Sequence, residues 1–246
     1  MTLTTLLVIA AVVMLTGISK SGFAGALGVF AVPLLLLVMP ALDAIALMLP
    51  ILIIADVFSL KSYWRQWQNE LIRLLLPGVV VGVLIAQWLI QIIPAAWLSA
   101  AIATLSLLFA LRSLFFAKIR YGFLASDWGG RVMATLSGLA STLVHAGGPP
   151  LIIYFTAKAL APRQYVATAA ALFALMNGVK LAAFSAQGLL TLDLLFTALA
   201  FVPLALLGNW LGVKIQQKFN PQHFLRVMNW LLLLLALVLY AKLMLS

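Results

Sequence analysis

Between Leu3 and Leu60 the chain carries three charged side chains, Lys20, Asp43 and Asp56. A run of this length, apolar in nearly every stretch of about 20 residues, is suited to one solvent, the hydrocarbon core of a bilayer, which a helix of that length crosses. The rest of the 246 residues continues in the same way: 65% are hydrophobic and 8% charged, against roughly one quarter charged in a soluble domain. No soluble domain has room within the sequence. The period-two alternation that a closed barrel needs is missing, so helices are the expected state. Cysteine is absent and the two histidines, His145 and His223, lie far apart, which argues against a disulfide framework and against a metal or other cofactor site. The formal net charge of +10 is spread over segment ends, a pattern that reads as membrane topology rather than nucleic-acid binding. No basic residue precedes Lys20, so the first apolar run is expected to be retained rather than cleaved as a signal peptide.

Pro, Gly and charge divide the chain into eight to ten apolar helical pieces, at about 3–19, 22–39, 42–60, 71–93, 96–117, 130–146, 148–160, 164–187, 191–213 and 223–245. Two neighbouring pairs, 3–19 with 22–39 and 130–146 with 148–160, are separated by Gly-rich breaks instead of polar loops, and each pair is predicted to form a broken hairpin. Trp64, Trp67, Trp88, Trp97, Trp128 and Trp230 fall near segment ends and read as interface anchors. His223, beside a basic loop, is assigned no function.

The chain also resembles itself at about half its length. Pro77 and Gly82 recur as Pro203 and Gly208, Pro94 and Trp97 as Pro221 and Phe224, Pro40 as Pro162, Asp56 as Asn177 and Gly28 as Gly148. Loop charge switches between the copies. The 61–73 turn carries Lys61, Arg65 and Arg73, while its counterpart near 187–193 holds Asp193; the 94–97 turn is uncharged, while 214–226 holds Lys214, Lys218 and Arg226. Basic loops stay in the cytoplasm, so equivalent loops are expected on opposite faces. The prediction is a single transmembrane domain, 1–246, made of inverted-topology repeats 1–120 and 121–246, each a broken hairpin plus three transmembrane helices. Both termini are predicted outside, in a bacterial cytoplasmic (inner) membrane.

Discontinuous helices in inverted-repeat carriers leave backbone groups facing a cavity near the midplane. A helix that resumes after a break presents free N–H groups and the positive end of its dipole, which favours an anion. The resuming helices are predicted to start near Gly22 to Gly28 and near Gly147 to Pro150, with His145 at the resumption of the second. Candidate binding residues are therefore Lys20, Ser21, Gly22, Gly25, Gly28, His145, Gly147 and Gly148, with Asn177 and Lys180 from the interior of 164–187. Two readings of Lys20 stand side by side, countercharge for an anion or a side chain snorkelling to the interface. For the glycines the alternative is close helix packing. Asp56 is the coupling candidate, with an internal salt bridge to a lysine as the other reading.

The repeated Gly-rich signature, "GFAGALGVFAVPLLLL" at 22–37 and "HAGGPPLIIYF" at 145–155, with the two-half organisation of the whole chain, resembles the sulfite exporter TauE/SafE family. That resemblance implies transport of sulfite or an organosulfonate such as sulfoacetate. The expectation is a secondary carrier of a small anion, with the bilayer and that anion as its partners, no nucleic acid, and homo-oligomerisation left open. An anion channel is the alternative, and an intramembrane enzyme using Ser141 and His145, four residues apart on one helix face, a more distant one.

Overall fold

The apolar runs form helices throughout the computed structural model, which describes residues 2–22, 26–116, 122–218 and 221–245. In chain order these are α1 (Leu3–Gly22), a 3-10 turn (Ala26–Phe30) leading into α2 (Ala31–Leu35), α3 (Ala41–Ser62), α4 (Asn69–Ile92) and α5 (Ala95–Phe115). A second 3-10 turn (Gly122–Ala125) precedes α6 (Asp127–Val144), α7 (Gly148–Ala157), α8 (Pro162–Ala186), α9 (Leu192–Ala200), α10 (Val202–Lys218) and α11 (Pro221–Leu245). No strand occurs among the described residues. Six helices are long and apolar enough to cross a membrane, seven if α9 and α10 count as one bent crossing. The chain is therefore an all-α, multi-pass integral membrane protein.

Local chemistry explains some of the helix ends. Ser126 caps α6 by accepting from the Gly129 N–H at 3.0 Å, and Thr191 caps α9 in the same way through Leu194; such caps satisfy one of the free donors of a first turn. The short α2 ends on Lys242 of α11, whose ammonium donates to the carbonyls of Leu36 at 2.9 Å and Leu37 at 3.3 Å, a cation at the negative end of a helix.

One sequence expectation needs correction. The piece 191–213 is two helices bent by 42° at the break after Ala200. Pro203 follows the break, and its ring and missing N–H weaken the helix at the turn before it. The first resuming segment falls within the expected span of Gly22 to Gly28: it is described from Ala26, as a 3-10 turn followed by five helical residues, and Gly22 closes α1.

Helices in lipid gain nothing from hiding apolar surface from tails that are equally apolar, so close backbone packing has to hold them together. Glycines supply it at two crossings. On α1 against α10, Gly17 faces Ala205, Gly208 and Asn209, and Gly208 faces Met14; on α4 against α6, Gly82 faces Thr135 and Leu139, and Gly138 faces Val79, Gly82 and Val83. A Cβ built on Gly208 would lie 3.0 Å from the Met14 carbonyl carbon, and one on Gly82 would lie 2.9 Å from that of Thr135. The other major contacts pair α5 with α11 and α3 with α8. α3 is the most enclosed span, 61% buried, and α11 the least, 22%. The outward stripe of α11, with Val227, Trp230, Leu231, Leu234 and Val238 exposed, has the helical spacing of a lipid-facing side.

Three of the charged segments gather at one end. Arg163 Nε donates to Gln66 Oε1 at 2.6 Å, Gln68 Nε2 to Gln164 Oε1 at 2.9 Å, and Lys158 lies 3.6 Å from Asp127. The 61–73 turn, the start of α6 and the 158–163 turn therefore share that end.

Candidate functional site

The second break begins with the end of α6. His145 adopts a left-handed backbone with φ 54°, donates its N–H to Ser141 O at 3.1 Å, and is followed by an Ala146 N–H bond to Ala140 O at 3.3 Å. This is the bond pattern of a helix terminus usually given to glycine, and a side chain there costs about 1–2 kcal/mol. His145 thus closes α6 rather than opening α7, a correction to the sequence expectation. α7 starts at Gly148 with Gly147 as its cap, followed by Pro149 and Pro150. Neither proline has an N–H, so the free donors of this terminus reduce to the amides of Gly147 and Gly148. Ser137 Oγ holds the Gly147 carbonyl at 2.6 Å, which fixes the cap.

The two breaks meet. A Cβ on Gly28 would lie 3.2 Å from the carbonyl oxygen of His145. Beside this contact is a cavity of about 30 Å³ whose walls include Gly28, Gly147, Gly148, His145, Lys20 and Asn177. That is room for about two water molecules, so an anion of several heavy atoms requires the walls to part. Of the sequence candidates, Gly25 lies outside the described residues. Ser21 and Gly22 are described only as backbone, in the last turn of α1.

Lys20 sits deep, with 10% of its side chain exposed. It is engaged by Asp56 on α3 in a salt bridge to Oδ1, while Asn177 on α8 donates to Asp56 Oδ2 at 2.5 Å. The Phe173 ring adds a cation–π contact, its centroid 5.4 Å from Lys20 Nζ. The packing of α3 on α8 brings together Asp56 and Asn177, the residues matched in the sequence repeat.

Lys180 is fully buried and does not line the cavity. Its ammonium donates to Ser141 O at 3.2 Å, to Ser141 Oγ at 3.1 Å and to His145 Nδ1 at 3.2 Å, so three protons meet three acceptors. The other ring nitrogen of His145, Nε2, lies 2.9 Å from the carbonyl oxygen of Ile45. The partners set the tautomer, with hydrogen on Nε2 and a lone pair on Nδ1. Lys180 thus braces the wall of the second break from behind. Ser141 and His145 each turn to Lys180, and among the described residues they meet each other only through the backbone bond at 3.1 Å. The nucleophile–base hydrogen bond that the enzyme reading needs is not formed here.

Phe173, Thr16 and Leu52 also border the cavity and were not singled out from sequence. Phe173 had a usable signal, because it precedes Asn177 by four residues and Lys180 by seven and so shares their helix face. Thr16 bonds back to Val12 O at 2.8 Å, as hydroxyls in apolar helices commonly do. No group of three or more His, Cys, Asp or Glu that could hold a metal ion occurs among the described residues.

No curated protein and no solved structure matches the chain. The family model described as sulfite exporter TauE/SafE matches residues 9–239, nearly all of the sequence that builds the helices and both breaks, and the chain belongs to this family of membrane transporters.

Proposed function

We propose that this chain is a secondary carrier of a small anion, sulfite, an organosulfonate or a related organic anion, held between the two Gly-rich breaks. The observation that carries the reading is the cavity where both breaks meet, because Lys20 and the amide end of α7 converge on it. A helix N-terminus supplies partial positive charge and N–H donors, and Lys20 adds a full charge in a setting of low polarity.

The reading includes two inverted halves, 1–120 and 121–246, rocking about this point, with the basic turns cytoplasmic and both termini outside a bacterial inner membrane. The contact pattern supports it. The first helix of the first half, α1, packs on the fourth crossing of the second, α10; the first helix of the second half, α6, packs on the fourth of the first, α4. Third packs on third, α3 with α8, and fifth on fifth, α5 with α11. Exchanging the halves leaves this pattern unchanged, as a two-fold relation requires.

The test is flux in proteoliposomes. Saturable, gradient-driven uptake of sulfite or sulfoacetate, lost in Lys20→Ala, is expected. Unsaturable conductance would make the protein a channel, and unchanged flux and affinity in a correctly inserted Lys20→Ala would remove the lysine from the site.

A further inference from the structure

The lysine that borders the cavity between the breaks is the one that neutralises Asp56. Asp56 itself borders a second cavity, of about 20 Å³, together with Ser59, Tyr63 and Val166. Tyr63 ends α3 and leads into the basic 61–73 turn, so this cavity opens the carboxylate toward the basic end of the molecule. Lys20 and Phe173 border both cavities and form the partition between them. The substrate side and the Asp56 side therefore meet at one ammonium group.

The charges around Asp56 are few. From α1 comes Lys20, in direct contact. From α8 comes Lys180, within electrostatic reach of both Asp56 and Lys20 but bonded to Ser141 and His145. From the end of α6 comes His145, held as the neutral tautomer by Ile45 and Lys180. From α3 itself comes Tyr63. Among the described residues α2, α5, α9 and α10, which also pack on α3, add no titratable side chain to either cavity. An anion that reaches Lys20 places a second negative charge beside the first, and like charges this close in a poorly solvated site oppose each other's ionisation.

Resting on the anion-carrier reading, we propose that anion binding and protonation of Asp56 are one linked event, so that Lys20 exchanges partners and the protein carries an anion together with a proton. The anion takes the Lys20 ammonium from Asp56 Oδ1. A proton from the aqueous phase at the basic end passes along the Tyr63 cavity and forms an O–H bond on that oxygen. Before the event the pair is carboxylate and ammonium; afterwards it is carboxylic acid, with the ammonium bound to the anion. For a monoanion the loaded and empty carriers have the same net charge, and release on the far side returns both ions. Asn177 suits both states, since its amide donates to Oδ2, an oxygen that still accepts when the proton sits on Oδ1.

The test counts protons at binding. The purified wild-type protein is titrated with sulfoacetate, whose acidic groups are ionised near neutrality and so carry no proton in, by calorimetry in two buffers of different ionisation enthalpy. Uptake of about one proton per anion is expected, with affinity falling up to about tenfold per pH unit on the alkaline side. Asp56→Asn, permanently neutral, is expected to bind more tightly, with no proton uptake and no pH dependence between about pH 6 and 8. Should that variant not fold, the wild-type proton count decides alone. Binding of sulfoacetate by the wild type without proton uptake overturns the linkage and leaves the carrier intact. Failure of the folded wild type to bind or move sulfite and sulfoacetate overturns both.

Discussion

Removing one partner of the Lys20–Asp56 pair tests whether the pair is as dry as the packing makes it. The two side chains are 10% and 4% exposed, and a buried pair that loses one member destabilises a protein by about 3–5 kcal/mol, because the survivor stays buried without compensation. The two halves of the experiment differ. Lys20→Met leaves Asp56 with the Asn177 amide at 2.5 Å and with Lys180 in electrostatic reach, which puts it near the lower end, about 3 kcal/mol. Asp56→Leu leaves Lys20 and Lys180 with no carboxylate between them and strands the Asn177 donor, which puts it near the upper end, about 5 kcal/mol. The double variant removes both desolvation costs at this point and is expected to lose no more than the worse single change. The coupling energy is then at least about 3 kcal/mol, the upper end for residues in contact. Reversible unfolding in mixed SDS–detergent micelles, followed by tryptophan fluorescence, measures all four corners of the cycle. Single losses each under about 1 kcal/mol that simply add, the behaviour of an exposed pair, would refute the argument that Lys20 and Asp56 neutralise each other in a dry interior.

Gly82→Val and Gly208→Val are each expected to lower stability by about 1–3 kcal/mol or more, since both put a side chain into the backbone of the helix opposite; a thermal shift in detergent reads this. Gly178→Ala, with nothing within 4 Å of the new methyl group, is expected to be neutral or to stabilise by up to about 1 kcal/mol through helix propensity. In a chain without native cysteine, Gln66→Cys and Leu190→Cys are expected to react with an impermeant maleimide from opposite faces of oriented vesicles, and labelling from one face would break the inverted arrangement. Pro149→Ala restores one amide donor at the start of α7; at about 0.3–1 kcal/mol for a charge at a helix end it is expected to tighten anion binding about two- to fivefold, and unchanged or weaker binding would place the anion away from that terminus.

How much of this was written in the sequence depended on the range of each signal. The helices were legible because an apolar run in lipid has almost no other way to satisfy its backbone. The breaks were legible because Gly147, Gly148, Pro149 and Pro150 stand where a continuous helix would otherwise run. The bend after Ala200 was less so: Pro77 occupies the matching place in α4, which stays one helix from Asn69 to Ile92, so proline alone does not decide between a bend and a break. The position of Lys180 was not legible at all. Its spacing from Asn177 places the two on a similar face of α8, but only the packing of α6 shows that Ser141 and His145 take its three protons before they reach the cavity.

The match of Asp56 with Asn177 reaches furthest, because a relation between two distant stretches of sequence became a contact of 2.5 Å. Two carboxylates at that distance would repel and one would stay protonated. Two amides would leave Lys20 buried without a countercharge, a costly arrangement. One carboxylate with one amide is the combination that neutralises Lys20 once and no more. A single countercharge on a cation at the edge of the cavity is also what an incoming anion must displace. The chemical difference between two otherwise matched positions is therefore where the proposed coupling resides.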